Sequence, residues 1–332
     1  MIATLRAWVR APLSPVARAI AALLLVIAIG CVFNKDGAFF AWQTHQGMLR
    51  EISVYGILAC GMTIVIVSGG IDLAVSSNLA LAAVSFATLM LPYQWSAPAA
   101  IASVLCLGVV VGATSGALIA WFRLQPFIVT LAMMVFARGL AKFLARGKKV
   151  TTFIEDAAGG SGRSVPMPRF FDAIDARVLG GTISIVTLVF LACVLVTYVV
   201  LARLRVGRSI YAVGGNAEAA RLSGVPVRRA LIVAYALSGL FAAIAGICQA
   251  AQETQGDPET AMGYELDAIA MVVIGGTSLA GGRGGIGLTL LGALTIGYLQ
   301  KILSINAFSI ESRYMLTGAI IVFAALFQRR RS

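Results

Sequence analysis

Charge is scarce in this chain of 332 residues: only 12% are Asp, Glu, Lys or Arg, about half the ~25% of an ordinary soluble domain. Histidine is almost missing. The single one, His45, lies near a predicted membrane interface without HExxH context, so a metalloenzyme is not indicated. The five cysteines, Cys31, Cys60, Cys106, Cys193 and Cys248, all lie in or at the ends of apolar runs. Their odd number and the lack of any CxxC spacing speak against a disulfide framework and a thiolate metal site. No GxxxxGK[ST] phosphate loop occurs: Gly147-Lys148-Lys149 lacks the upstream glycine and the hydroxyl residue. Serine elbows and kinase signatures are missing too. The expectation is a chain that is not an enzyme, binds no cofactor or metal of its own, and draws any driving energy from another chain or an ion gradient.

What is abundant is apolar surface. Hydrophobic residues make up 59%, with 35 Gly and a mean hydropathy of +0.92. A bilayer span takes about 20 residues, and ten apolar runs can be read, at about 16–33, 47–67, 73–91, 98–122, 126–145, 181–202, 229–250, 264–281, 285–303 and 312–328. The fold class is therefore all-α: a polytopic integral membrane helix bundle of about ten transmembrane helices in a single domain over 1–332. The first run follows Arg6, Arg10 and Arg18 and ends at Cys31, and it reads better as an uncleaved anchor than as a signal peptide.

The excess of 26 basic over 14 acidic residues, +12, would suggest nucleic acid in a soluble protein. Here it reads as topology and contact with lipid headgroups, because cytoplasmic loops concentrate Lys and Arg. With the N-terminus inside, the segment 1–15, Arg18, Arg123, the cluster Arg203, Arg205, Arg208, Arg221, Arg228 and Arg229, Arg283, and the tail 329–332 all fall on the cytoplasmic side. The acidic stretch 251–265 faces the other way. An even number of spans places both termini in the cytoplasm. The segment 147–180 is long and charge-balanced, and reads as a loop.

Four local patterns carry more than hydropathy. Within 203–229, Asn216 reads as the N-cap of one short helix containing Ala217, Glu218, Ala219, Ala220 and Arg221, with Gly224 just past its end and Pro226 beyond. Gly214 and Gly215 would let the chain turn before the cap. Two turns do not hold in water alone, so this helix must rest on the membrane domain or dock into a partner. In Gly61–Ser77, the pair Gly69-Gly70 breaks a helix just before Asp72. A charge at membrane depth needs a partner, a cavity or an interface, so Asp72 either caps the next helix with Ser76 and Ser77 or lines a pathway. In Gly263–Gly287, the Gly282–Gly287 stretch matches GxGxxG but lacks the strand and the following acid of a dinucleotide site; it reads as a tight turn. Glu265 and Asp267, two apart, point to different faces of a helix. The fourth run carries Gly108, Gly112 and Gly116, a spacing for close helix packing.

Taken together, Gly61–Ser77, Gln125–Leu131, Tyr211–Gly224 and Gly263–Gly285 resemble, in order and spacing, the bacterial ATP-binding-cassette permeases for ribose, arabinose, galactofuranose and related sugars. The likeness runs from about 47 to 328. It implies an inner-membrane permease that pairs with a second copy or a paralogue, receives sugar from a periplasmic substrate-binding protein, and docks cytoplasmic ATP-binding-cassette ATPases that hold the ATP and Mg. It also implies that Gly214, Gly215, Asn216, Ala217, Glu218, Ala219, Ala220, Arg221 and Gly224 form the ATPase-coupling segment, and that Gly69, Gly70, Asp72, Glu265 and Asp267 shape the pathway or its gates. Relatives often carry Asn-Gly where this chain has Ser115-Gly116, which puts any polar role of Ser115 in doubt. Permeases for nucleosides and, more distantly, branched-chain amino acids share the pattern. An ion-coupled transporter relaying through Asp72, Glu265 or Asp267 is the reading from a different class, and an integral membrane enzyme finds no nucleophile and base at workable spacing.

Overall fold

The computed structural model describes residues 14–155, 162–178, 180–309, 311–313, 315–316 and 318–319. The greater part of the expected span 312–328, most of the segment 1–15 and the tail 329–332 lie outside the described residues.

Twelve α-helices are assigned among them: α1 Pro15–Val32, α2 Trp42–Val67, α3 Val75–Met90, α4 Ala97–Phe122, α5 Pro126–Leu144, α6 Arg169–Asp175, α7 Ile185–Ala202, α8 Arg205–Gly215, α9 Ala217–Leu222, α10 Val227–Glu253, α11 Tyr264–Gly275 and α12 Ile286–Ile305. Proline opens several of them, since its missing N–H is not needed in a first turn: Pro15 begins α1 behind the Ser14 cap, and Pro126 begins α5. Seven of the helices, α1, α2, α4, α5, α7, α10 and α12, are long and apolar enough to cross a membrane.

Seven full spans among the described residues do not confirm the expected count of about ten. The run 73–91 forms only the 16 residues of α3, and 264–281 forms only the 12 residues of α11, which stops where Gly276 takes φ +104. At 1.5 Å per residue these reach about 24 and 18 Å, short of a ~30 Å hydrocarbon core. In the break before α3, Ser68, Gly70, Asp72 and Ala74 are buried, as irregular backbone at membrane depth requires.

Helices α2 and α10 form the centre. α10 packs chiefly on α4, α3 and α2; α7 and α12 lie on α2, α5 on α3, and α1 on α12. The α4–α10 seam explains the glycine spacing. Methyl groups built on Gly108 and Gly116 would lie 2.5 Å from the Gly239 carbonyl oxygen and 2.8 Å from Ile232 Cα, so any larger residue would push the two backbones apart. Buried Ile57, Leu58, Met62, Ile64 and Phe241 fill the main core, whereas α1 and α5 leave large side chains such as Leu24, Leu25, Val135 and Phe136 exposed, as lipid-facing helices do.

The bundle has two chemically distinct ends. At one, residues 254–261 meet the segment 147–180, whose described residues carry strands β1 Phe153–Glu155 and β2 Gly162–Ser164, paired antiparallel, then α6 and strand β3 Arg177–Val178, which pairs antiparallel with β4 Ile183–Ser184 just beyond the segment. Val150 and Gly256 exchange backbone hydrogen bonds of 2.8 Å. Phe171 of α6 is buried against Phe86, ring centroids 5.4 Å apart. Lys149–Asp257 and Lys142–Glu259, each 2.9 Å, and the Arg138 guanidinium, which donates to the Pro258 and Thr260 carbonyls at 2.8 Å, complete this end. At the opposite end lie the start of α1, the end of α2, α8, α9 and the turn 276–285, since Pro15 packs beside Gly276, and Gly281 and Gly282 pack against Gly69, Gly214 and Gly215.

Candidate functional site

The short helix α9 has the geometry its residues encode. Asn216 is extended (φ −164°, ψ 103°) and its Oδ1 accepts the Ala219 N–H at 2.9 Å. Arg221 donates to both oxygens of Glu218, at 3.0 and 2.6 Å, and this hydrogen-bonded guanidinium holds the Glu218 carboxyl below its ordinary range. Gly224 takes φ +80 at the far end, and Val225 N–H bonds back to the Ala220 carbonyl at 2.9 Å. Only Ala220 is buried; Leu222 projects with three quarters of its surface exposed. So α9 sits on the bundle by one small side chain and presents the rest outward.

The glycines before the cap do something other than turn the chain. Gly214 and Gly215 are the last residues of α8, a helix not anticipated from the sequence, and the turn is made at Asn216 itself. Gly214 is needed for approach: a methyl there would land on the Val67 carbonyl oxygen and lie 2.7 Å from Gly282 N. Gly282 N–H in turn donates to that same Val67 carbonyl at 2.9 Å. A methyl on Gly281 would lie 2.8 Å from Gly69 Cα, and one on Gly282 would lie 2.7 Å from Gly215 Cα. Three glycine pairs distant in sequence thus interlock backbone to backbone. Tyr211 on α8 closes the contact by donating to the Gly284 carbonyl at 2.8 Å. The GxGxxG stretch lies in a turn with Gly281, Gly282 and Gly284 at positive φ and runs into the start of α12; the element immediately before it is helix α11, not a strand.

From this junction α2 gives way, through Gly69 at φ +87, to a non-helical stretch that runs inward. Asp72 is fully enclosed there. Its Oδ1 accepts the Ala74 N–H at 3.0 Å, a capping-type bond just ahead of α3, and its Oδ2 accepts the Ser238 hydroxyl at 2.7 Å. Ser238 stands near the middle of α10, so the carboxylate lies at depth in the bundle. Thr130 of α5 and Tyr235 of α10 both donate to the adjacent Ile71 carbonyl, at 3.2 and 3.5 Å. These partners carried no signal in the sequence, because a Ser, Thr or Tyr inside an apolar run declares nothing about what it faces.

The remaining candidates fall elsewhere. Ser115 is buried in the α4–α10 seam and bonds only weakly, at 3.4 Å, to the Val111 carbonyl of its own helix. Asp267 is buried and accepts from Gln300 of α12 at 3.3 Å. Glu265, in the first turn of α11, lines a cavity of about 390 Å³ with Ser76 and Ser77 of α3 and with Arg138 and Lys142 of α5. Its buried Oε2 meets no hydrogen-bond partner among the described residues, nor does either amide atom of buried Asn78 on α3. Enclosed acceptors and donors left open, beside helix breaks, are the groups that a polar solute could satisfy.

Residues 46–325 match the family described as "Branched-chain amino acid transport system / permease component". The chain is 38% identical to the ribose import permease RbsC of Escherichia coli K12 over 315 residues, covering 93% of this chain and 92% of that protein. It is 38% identical to the L-arabinose transport system permease AraH of the same strain (92% and 88%), and 36% identical to the RbsC of Bacillus subtilis (93% and 91%). The chain belongs to this permease family of ATP-binding-cassette importers. No solved structure gives a significant match. The permease is a multi-pass membrane protein.

Proposed function

We propose that this permease is the membrane-spanning subunit of an ATP-driven sugar importer, with the basic end and both termini in the cytoplasm and the acidic end facing a periplasmic substrate-binding protein. Two cytoplasmic ATPases, which hold the ATP and Mg, grip α9 through its exposed face and Leu222, and a second copy or a paralogue of the permease completes the pathway. This chain makes and breaks no covalent bond. The observation that carries the reading is the glycine junction: it ties the end of α8, immediately before the coupling helix, to the end of α2 and to the turn after α11 without an intervening side chain. Backbone against backbone has little slack, so a shift of α9 moves the Asp72 break and the foot of α11 together. That motion opens or closes the cavity holding Ser76, Ser77 and Glu265, a switch between packed alternatives of the kind interrupted helices support. Hydroxyls and a carboxylate without a full set of partners suit the many hydroxyls of a monosaccharide.

The test is uptake of radiolabelled ribose and arabinose into liposomes holding the permease, its ATPase and its binding protein. Glu218→Lys and Arg221→Glu should each reduce ATP-driven uptake to background while leaving membrane insertion and thermal stability intact. Full uptake in either variant sinks the coupling assignment. Uptake by the permease alone under an imposed proton gradient would instead establish an ion-coupled transporter.

A further inference from the structure

A cavity of about 780 Å³ opens beside α9, and its charge is one-sided: Arg123, Arg221, Arg228 and Arg229 line it, against the single carboxylate of Glu218. Glu218 is already engaged by Arg221. Arg123, Arg228 and Arg229 are exposed and have no ion-pair partner among the described residues. The tendency of cytoplasmic loops to be basic accounts for their sign. It does not account for three guanidinium groups from two distant segments, 123 and 228–229, converging on one concavity whose single carboxylate is already hydrogen-bonded to Arg221.

The rest of the wall says what kind of anion. Ile119, Leu124 and Leu231 give the cavity an apolar side. Near Arg123 in the chain, at the α4–α5 connection, Trp121, Phe122 and Phe127 are large and more than half exposed. Aromatic side chains gather at the level of lipid headgroups, and Arg presents paired donors that match phosphate oxygens. A soluble anion or an acidic protein segment would use the cations and leave the apolar wall idle. We propose that this cavity binds the phosphate of an anionic membrane phospholipid through Arg123, Arg228 and Arg229, with the glycerol and upper acyl carbons along Ile119, Leu124 and Leu231. Because Glu218 and Arg221 form the opposite wall, the bound headgroup braces the coupling helix, a consequence that rests on the function proposed above, whereas the binding itself does not.

The experiment uses the full-length permease in nanodiscs of phosphatidylcholine doped with 0–30% phosphatidylglycerol, with retained phosphatidylglycerol counted by native mass spectrometry after partial delipidation. Wild type should retain phosphatidylglycerol over phosphatidylcholine. The triple variant Arg123→Gln/Arg228→Gln/Arg229→Gln should lose at least tenfold in that preference, and Arg123→Gln alone a part of it, guarding against a misfolded triple variant. Arg203→Gln/Arg205→Gln/Arg208→Gln, which removes the same charge from outside the cavity, should keep it. Equal loss in that control, or no loss in the triple variant, overturns the proposal by showing a diffuse charge effect. Displacement of the lipid by millimolar glycerol phosphate or inorganic phosphate assigns the site to a soluble phosphate instead. Unchanged lipid retention with loss of ATPase co-purification makes it a protein-docking surface. In ATPase-coupled proteoliposomes, phosphatidylglycerol should raise uptake severalfold in wild type and not in the triple variant. An uptake of zero in every lipid would fail the importer reading while the binding result stood, and equal uptake in both lipids by wild type would overturn the bracing role.

Discussion

Adjacent glycines at 214 and 215 should respond in opposite ways to the same added methyl. Alanine at 214 places that methyl on the Val67 carbonyl oxygen and within 2.7 Å of Gly282 N, where the only neighbours are backbone atoms that cannot rotate away. Overpacking of this kind costs about 1–3 kcal/mol. Parting the backbones also breaks the Gly282 N–H bond to Val67, which leaves a polar pair without its partner at a further ~1–3 kcal/mol. The gain from replacing helical glycine returns only ~1 kcal/mol, so Gly214→Ala should destabilise by about 1–5 kcal/mol. At 215 no atom lies within 4 Å of the added methyl, and the residue ends a helix, so Gly215→Ala should be neutral to stabilising by up to ~1 kcal/mol. Thermal unfolding of the two variants in nanodiscs reads the difference directly, and ATP-driven uptake should fall in the first and persist in the second. Equal melting points and equal uptake would refute the claim that backbone contact at the junction joins α8 to α2.

The buried carboxylate offers a thermodynamic cycle: Ser238→Ala removes a hydrogen bond to a charged group and should cost about 1.5–3 kcal/mol, but only about 0.5–1.5 kcal/mol in an Asp72→Asn background; equal costs would mean that Asp72 and Ser238 are not coupled. In the α4–α10 seam, Gly112→Ala sets a methyl against the Tyr235 carbonyl and should destabilise by about 1–3 kcal/mol, whereas Gly139→Ala on α5, with open space around it, should stabilise by ~0.5–1 kcal/mol in the same unfolding assay. The Glu218 carboxyl, held low by Arg221, is ionised well below neutrality, so the pair's contribution is fully present above the ordinary glutamate value and fades only as pH falls through the lowered one. The ATPase affinity of the permease should therefore be flat between pH 6 and 8, and a titration in that window that vanishes in Glu218→Gln would contradict the assignment.

Much of the local structure was legible. The caps of α9 were readable because Asn, Gly and Pro act on the chain within a few residues of themselves, and the helix break at Gly69-Gly70 for the same reason. The Gly108, Gly112 and Gly116 spacing announced close packing, but not that the partner would be Ile232, Tyr235 and Gly239, since a groove in one helix carries no label for the ridge that fills it. The sequence reads Gly214 as a turn residue, whereas the structure makes it a contact residue and leaves open space around a methyl on Gly215: a turn and a close approach both call for a missing Cβ, and only the position of Val67 and Gly282 tells them apart. Spans 73–91 and 264–281 looked complete because hydropathy counts apolar residues whether or not the helix is continuous through them.

Hydropathy by itself determined that this chain lives in a bilayer, and the spacing of its polar exceptions determined where its short capped helix and its helix breaks fall. It could not determine which spans are central. α1, with a mean hydropathy of 2.4, has 17% of its span buried, while α2, at 1.6, has 83%. The order is inverted because lipid tails and protein interior are equally apolar, so hydrophobicity does not sort helices between them; small residues and polar partners do. Tertiary structure alone brought Gly69, Gly214 and Gly282 together, set Ser238 on Asp72, and gathered Arg123, Arg228 and Arg229 around one cavity, since each of those contacts joins segments that the chain separates by tens to hundreds of residues.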